Sequence, residues 1–215
     1  MKFGFYVSGN AERLKQYLRQ RFEIERIAFV LIDSVDNKEL ALQCAAFEIP
    51  YHPYSYSELG LKYKEQNSFI SAKLLELLEK TNSDYCFIFG GRILEGDLLR
   101  RYENRLINFH PSLLPSFKGV HAIDQALQNH ALLLGNSAHF IDEKVDNGAV
   151  IMQSILPAQQ FKNYNSVLDL QVPMLKQIII WLKDNRITIH QGKIVVENAK
   201  YQVDTFIPNL EIEMT

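Results

Sequence analysis

Cysteine is scarce in this chain of 215 residues, and the two present, Cys44 in ALQCAAF and Cys86 in DYCFIF, lie in apolar settings. Neither has a second thiol at metal-ligand spacing, so both read as small core residues. Long apolar runs are missing as well. The strongest, IIIWL at 178–182, is far short of the roughly 20 residues a membrane span needs. The N-terminal MKFGFYVSGN is interrupted by Gly4, Ser8 and Gly9 and no small-residue cleavage site follows, so the expectation is a cytoplasmic protein with no membrane partner. Basic excess is also lacking: the formal charge is -2 and no Lys/Arg stripe interleaves with aromatics, which argues against a nucleic acid partner. Repeats, low-complexity tracts and linkers are absent. What remains, 47% hydrophobic and 22% charged residues, is the composition of a compact globular chain, expected as a single domain over 1–215.

Hydrophobic periodicity orders the elements. FGFYVS reads as a buried strand and Gly9-Asn10 as a turn, while Leu14, Tyr17, Leu18 and Phe22 form one helical face. RIAFVLID (26–33), DYCFIFG (84–90) and RLINF (105–109) are further apolar strands, separated by helices predicted at 39–47 and 69–80. Apolar strands alternating with helices predict an α/β fold with a doubly wound, mostly parallel sheet. After residue 130, NSAHFID and AVIMQSILP, joined by the turn-rich EKVDNG, predict an antiparallel part towards the C-terminus. VLDLQVPMLKQIIIWLKD (167–184) predicts a long helix that Pro173 either kinks or starts late. ITIHQGKIVV predicts a hairpin turning at Gln191-Gly192. The expected division is a βαβ half over 1–104 on the acceptor side and a catalytic half over 105–215 with the C-terminal helix and hairpin.

In open α/β sheets the ligand crevice lies beyond the carboxyl ends of the strands, and Asn108-Phe109-His110 ends such a strand. Pro111 and Pro115 restrict the backbone after it, so the imidazole of His110 would be held on stiff chain. Alternation lets Asn108 and His110 face one side. His121, His139 and Asp146 follow on separate elements, without the short His pairs of a metal site, so no metal is expected.

The run Asn108-x-His110-Pro111-Ser112-Leu113-Leu114-Pro115 with Lys118-Gly119 resembles the folate-dependent formyltransferases. His121, Gln125-Ala126-Leu127, Gly135, His139-Phe140, Asp142-Glu143, Asp146 and Gly148 make it most similar to their phosphoribosylglycinamide formyltransferase branch. The resemblance, strong over about 84–155, implies a Rossmann-like fold and transfer of a formyl group from 10-formyltetrahydrofolate to a primary amine. Asn108 and His110 would donate to the oxyanion of the tetrahedral intermediate, and Asp146 would manage the amine proton. Ser137 and His139 would support them. Gly91, Arg92, Ile93 and Leu94 would hold the pterin through backbone groups, and the loop of Asp142, Glu143, Lys144 and Val145 would close over it.

The acceptor side departs from the family. Its phosphate loop is Gly-rich, whereas here Gly9 and Asn10 are followed by Ala11, Glu12 and Arg13, and Gln171 stands where a ribose-binding Glu aligns. A carboxylate in the first turn of a helix competes with a phosphate for that helix N-terminus, so Glu12 points away from glycinamide ribonucleotide and purine biosynthesis. A nucleotide-linked amino sugar is the preferred small-molecule amine acceptor, with Arg13 available to a diphosphate. Two alternatives stay open: a hydrolase releasing formate, weakened by the lack of an N-terminal regulatory domain before Met1, and a non-catalytic folate or nucleotide binder. The assembly is expected to be a monomer or homodimer.

Overall fold

Every residue of β1 (Phe3–Val7) is buried, which is what a strand covered on both faces requires and why FGFYV does not alternate. A computed structural model describes residues 1–213 of the chain. They divide into two compact units, residues 1–107 and the chain from Asn108 onward.

In the first unit β1 is followed by α1 (Glu12–Arg19), β2 (Ile27–Ile32), α2 (Lys38–Ala46), β3 (Tyr51–Pro53), α3 (Tyr63–Thr81), β4 (Tyr85–Phe89) and α4 (Asp97–Arg101). The strand order is β4-β1-β2-β3, and all three pairings are parallel. The chain builds outward from β1 and then returns to its other side for β4. That reversal is a topological switch point, where two neighbouring connections diverge and leave a crevice at the carboxyl ends. The short strand β3 was not predicted: it carries Pro53, which a strand tolerates only at a sheet edge, and β3 is the edge. Helix α3 starts six residues ahead of its apolar face because the Lys62 N–H donates to the Glu65 carboxylate at 2.7 Å, closing the first turn with polar residues.

Strand β5 (Leu106–His110) ends in the second unit. After it come α5 (Ala122–Gln128), β6 (Leu133–Phe140), β7 (Val150–Pro157), α6 (Asn165–Leu168), α7 (Gln171–Lys183), β8 (Ile187–His190), β9 (Lys193–Val196) and β10 (Phe206–Ile207). The order is β10-β7-β6-β5, with β7 antiparallel to both β6 and β10, so the sheet has the expected antiparallel part. Pro173 marks a late start: it is the third residue of α7, where a helix has no intrahelical partner for the N–H that proline lacks. The hairpin turns at Gln191 and Gly192, both at positive φ, as a tight two-residue turn demands. The fold is a mostly parallel sheet flanked by helices and extended by antiparallel strands. Among the described residues no helix is long and apolar enough to cross a membrane.

Candidate active site

The second unit gathers Asn108, His110, Ser137, His139 and Asp146. Asn108 and His110 come from β5, while His139 sits one residue from the end of β6, where a register shift between Ala138 and His139 disturbs the ladder with β7. Such a shift re-aims a side chain locally. Asp146 lies in the turn between β6 and β7 at φ 48, a left-handed conformation uncommon outside glycine. The turn is held tight by Gly148, where a Cβ would lie 1.8 Å from the Phe140 carbonyl oxygen.

The Asp146 carboxylate is the hub. Its side chain is 9% exposed; Oδ2 lies 3.3 Å from His110 Nδ1 and Oδ1 lies 3.5 Å from His139 Nε2. The Gly119 N–H donates to Oδ2 at 2.8 Å. Burial opposes the charge of Asp146, but the two imidazoles and the Gly119 N–H outweigh it and hold the carboxyl below its usual range. Asp146 is therefore an anion at neutral pH.

Ring-nitrogen roles follow from their partners. A carbonyl oxygen can only accept, so His110 Nε2 carries a proton and donates to the Phe117 carbonyl at 2.9 Å. With Nε2 so engaged, His110 Nδ1 faces Asp146, and a second proton on the ring would lie between them. His139 Nδ1 likewise donates to the Phe140 carbonyl at 2.8 Å. Its Nε2 is then an acceptor in the neutral ring, 3.2 Å from Asn108 Nδ2.

Ser137 holds the Pro-bracketed turn. Its hydroxyl donates to the Ser112 carbonyl at 2.7 Å and accepts from the Leu114 N–H at 2.9 Å and from Gln153 Nε2 at 2.8 Å. Gln153 also donates to the Leu114 carbonyl at 3.1 Å. The sequence carries no signal for Gln153, a strand residue of β7 that becomes a clamp only through pairing. In the loop after β6 the Lys144 N–H donates to Asp142 at 2.9 Å, and Asp142, Glu143, Lys144 and Val145 are exposed. Gln171 is 3% exposed, and its amide N–H groups go to Asn136 Oδ1 at 2.9 Å and the Phe109 carbonyl at 3.4 Å. It serves the interior of the unit.

In the first unit Gly9, Asn10, Ala11, Glu12 and Arg13 run from β1 into α1. Ala11 caps the helix at φ 51, where glycine would be unstrained. Glu12 does not stand alone: Lys15 lies 3.0 Å and Arg19 3.3 Å from its carboxylate, and both cations also bridge to Glu39 at 2.7 Å. These partners hold the Glu12 carboxyl below its ordinary range, with Lys15 the larger cause. Arg13 is buried. Gly91, Arg92, Ile93 and Leu94 follow β4, and the Gly91 N–H donates to Ser8 Oγ at 2.8 Å. Among the described residues no group of three or more His, Cys, Asp or Glu side chains is arranged to hold a metal ion.

Residues 1–172 match the family model described as "Formyl transferase". The chain is 39% identical over 98 residues to the human trifunctional purine biosynthetic protein adenosine-3, covering 46% of this chain and only 10% of that protein. It is 28% identical over 155 residues to the formyltetrahydrofolate deformylase of Haemophilus influenzae, covering 70% of this chain and 54% of the relative. Its fold superposes on the crystal structure of glycinamide ribonucleotide transformylase 1 from Symbiobacterium toebii with a TM-score of 0.79 at 25% identity, over 91% of this chain and 93% of the other.

Proposed function

The chain belongs to the formyl transferase family, and from that premise we propose that it moves a formyl group from 10-formyltetrahydrofolate to the primary amine of a small acceptor. The observation that carries this reading is the Asp146 hub, one carboxylate facing His110 and His139, with Asn108 joined through His139. The amine nitrogen attacks the formyl carbon, and the carbonyl oxygen becomes an oxyanion that positioned donors must meet. The Asn108 amide is one such donor once it turns from His139. His110 is the other, provided its Nε2–H leaves the Phe117 carbonyl or is shared with it. Asp146 takes up the proton the amine loses, directly or through the His110 ring, and the folate nitrogen regains one as its bond to the formyl carbon breaks. The exposed loop from Asp142 to Val145 closes over the folate.

A nucleotide-linked amino sugar remains the preferred acceptor. Its support now rests on Ala11 and on Gln171, whose amide is spent internally, more than on Glu12, whose charge Lys15 and Arg19 offset. The second reading, hydrolysis of the formyl-folate to formate, is favoured by the Haemophilus influenzae relative. One experiment separates the two. The purified protein is incubated with 10-formyltetrahydrofolate and a panel of primary amines, glycinamide ribonucleotide and amino-sugar nucleotides among them, and the products are weighed by mass spectrometry. A formylated amine supports transfer. Formate without any formylated amine supports hydrolysis, and an unchanged folate refutes both.

A further inference from the structure

The carboxyl ends of β1, β2 and β4 carry a cluster that formyl transfer as described above does not use. Asp33 follows β2 directly and receives three hydroxyl donors at a single oxygen, Oδ2: Tyr6 at 3.0 Å, Ser8 at 2.9 Å and Tyr56 at 3.3 Å. Burial first, and then the Asp33 charge, push both phenols up, Tyr56 to about 12, so each stays protonated and donates. Ser8 in turn accepts from the Gly91 N–H, which ties the end of β4 to the same point. Among the described residues Asp33 Oδ1 accepts no hydrogen bond and no cation pairs with the carboxylate. Three donors on one oxygen lock the carboxylate plane and leave the second oxygen as a fixed acceptor.

Arg92 stands beside this arrangement through Tyr56, whose ring it covers at 4.9 Å while it also stacks on Tyr63 at 4.8 Å. Two aromatic faces hold the guanidinium plane, a placement lysine could not copy. Its N–H edge has no hydrogen-bond partner among the described residues. A held guanidinium edge suits a planar, two-pronged contact with phosphate.

We propose that Asp33 and Arg92 form a recognition subsite for a ribonucleoside phosphate carried by the acceptor, with Asp33 accepting from the ribose hydroxyls and Arg92 meeting a phosphate. The inference rests on the small-amine acceptor of the preceding subsection and narrows its class. A doubly wound sheet places an acidic side chain at the end of its second strand within reach of a ribose bound at the first turn, and Asp33 is such a residue.

Isothermal titration of the full-length protein with UDP, ADP, GDP and CDP, each against its 2′,3′-dideoxy counterpart, tests this without a variant. The hydroxyl-bearing form of at least one should bind tenfold tighter or more, the range of a charge-assisted hydrogen bond. Asp33→Asn should remove that preference, while Arg92→Lys should weaken both forms about equally and keep it. Equal binding of the two forms by the wild type, or no binding of any at millimolar concentration, would overturn the proposal. So would formylation of glycinamide ribonucleotide that Asp33→Asn leaves unchanged, which would leave the formyltransferase reading intact. An unchanged formyl-folate in the wild-type assay overturns that reading instead, and the titration alone then decides whether the subsite exists.

Discussion

Asp146→Asn keeps the shape of the hub and removes its charge, so it separates what the carboxylate does for chemistry from what it does for stability. The amide oxygen can stay towards the Gly119 N–H, which now donates at 2.8 Å, and the new NH2 can face His139 Nε2. What is lost is the negative charge that the Gly119 N–H meets and His110 Nδ1 faces, and at about 1.5–3 kcal/mol for a hydrogen bond to a charged group the variant should be destabilised by roughly that amount at pH 7. Turnover should fall further, by the ~10²-fold or more that loss of a general base typically costs. The pH dependence has a definite sign. The folded-state carboxyl is held below its ordinary range, so the wild-type advantage is fully present above the unfolded carboxylate's pKa and is lost as pH falls through the lowered folded value. Urea midpoints of the two proteins compared from pH 7 down to about 3 should therefore keep a constant gap at first and close at the acid end. A gap that stays constant to the lowest pH, or widens there, would refute the ionic role, and near-normal turnover of Asp146→Asn would refute the base.

Ser137→Ala removes a buried hydroxyl that serves three groups and leaves the Leu114 N–H and Gln153 Nε2 short of a partner; a loss of about 1–3 kcal/mol in chemical denaturation is expected, and an unchanged midpoint would contradict the clamp. Gly148→Ala forces a Cβ against the Phe140 carbonyl; turnover of formyl-folate should drop together with about 1–3 kcal/mol of stability, since the same turn carries Asp146. Ala11→Gly relieves a left-handed alanine that costs about 1–2 kcal/mol and adds about 0.4–1 kcal/mol of unfolded-chain entropy, so the thermal midpoint should hold steady or rise slightly; a clear fall would show that the Ala11 side chain earns its place by packing.

Local chemistry makes part of this protein legible in its sequence. The apolar runs at 3–7, 27–32 and 85–89 read as largely buried strands, and helices between them favour parallel crossovers, so the doubly wound sheet was expected from patterning. Asn108 and His110 were readable because a histidine between a strand and two prolines is a short-range pattern carried by the backbone itself. The strands β3 and β10 were not readable, with three and two residues and little alternation to detect. Nor were the roles within the site. Phe117 caps His110 with a carbonyl, Gly119 binds Asp146 with an N–H, and Gln153 clamps the turn from a strand; each acts through a backbone atom or a partner 27 or more residues away for the last two, where side-chain identity says nothing. The clearest case is Glu12. Its sequence position at a helix N-terminus predicts repulsion of a phosphate, yet α2 brings Glu39 to Lys15 and Arg19 and makes Glu12 one corner of a balanced four-charge network. Charge is a property of residue type, but whether it is free or offset depends on distance, and distance between α1 and α2 is decided only when the chain folds.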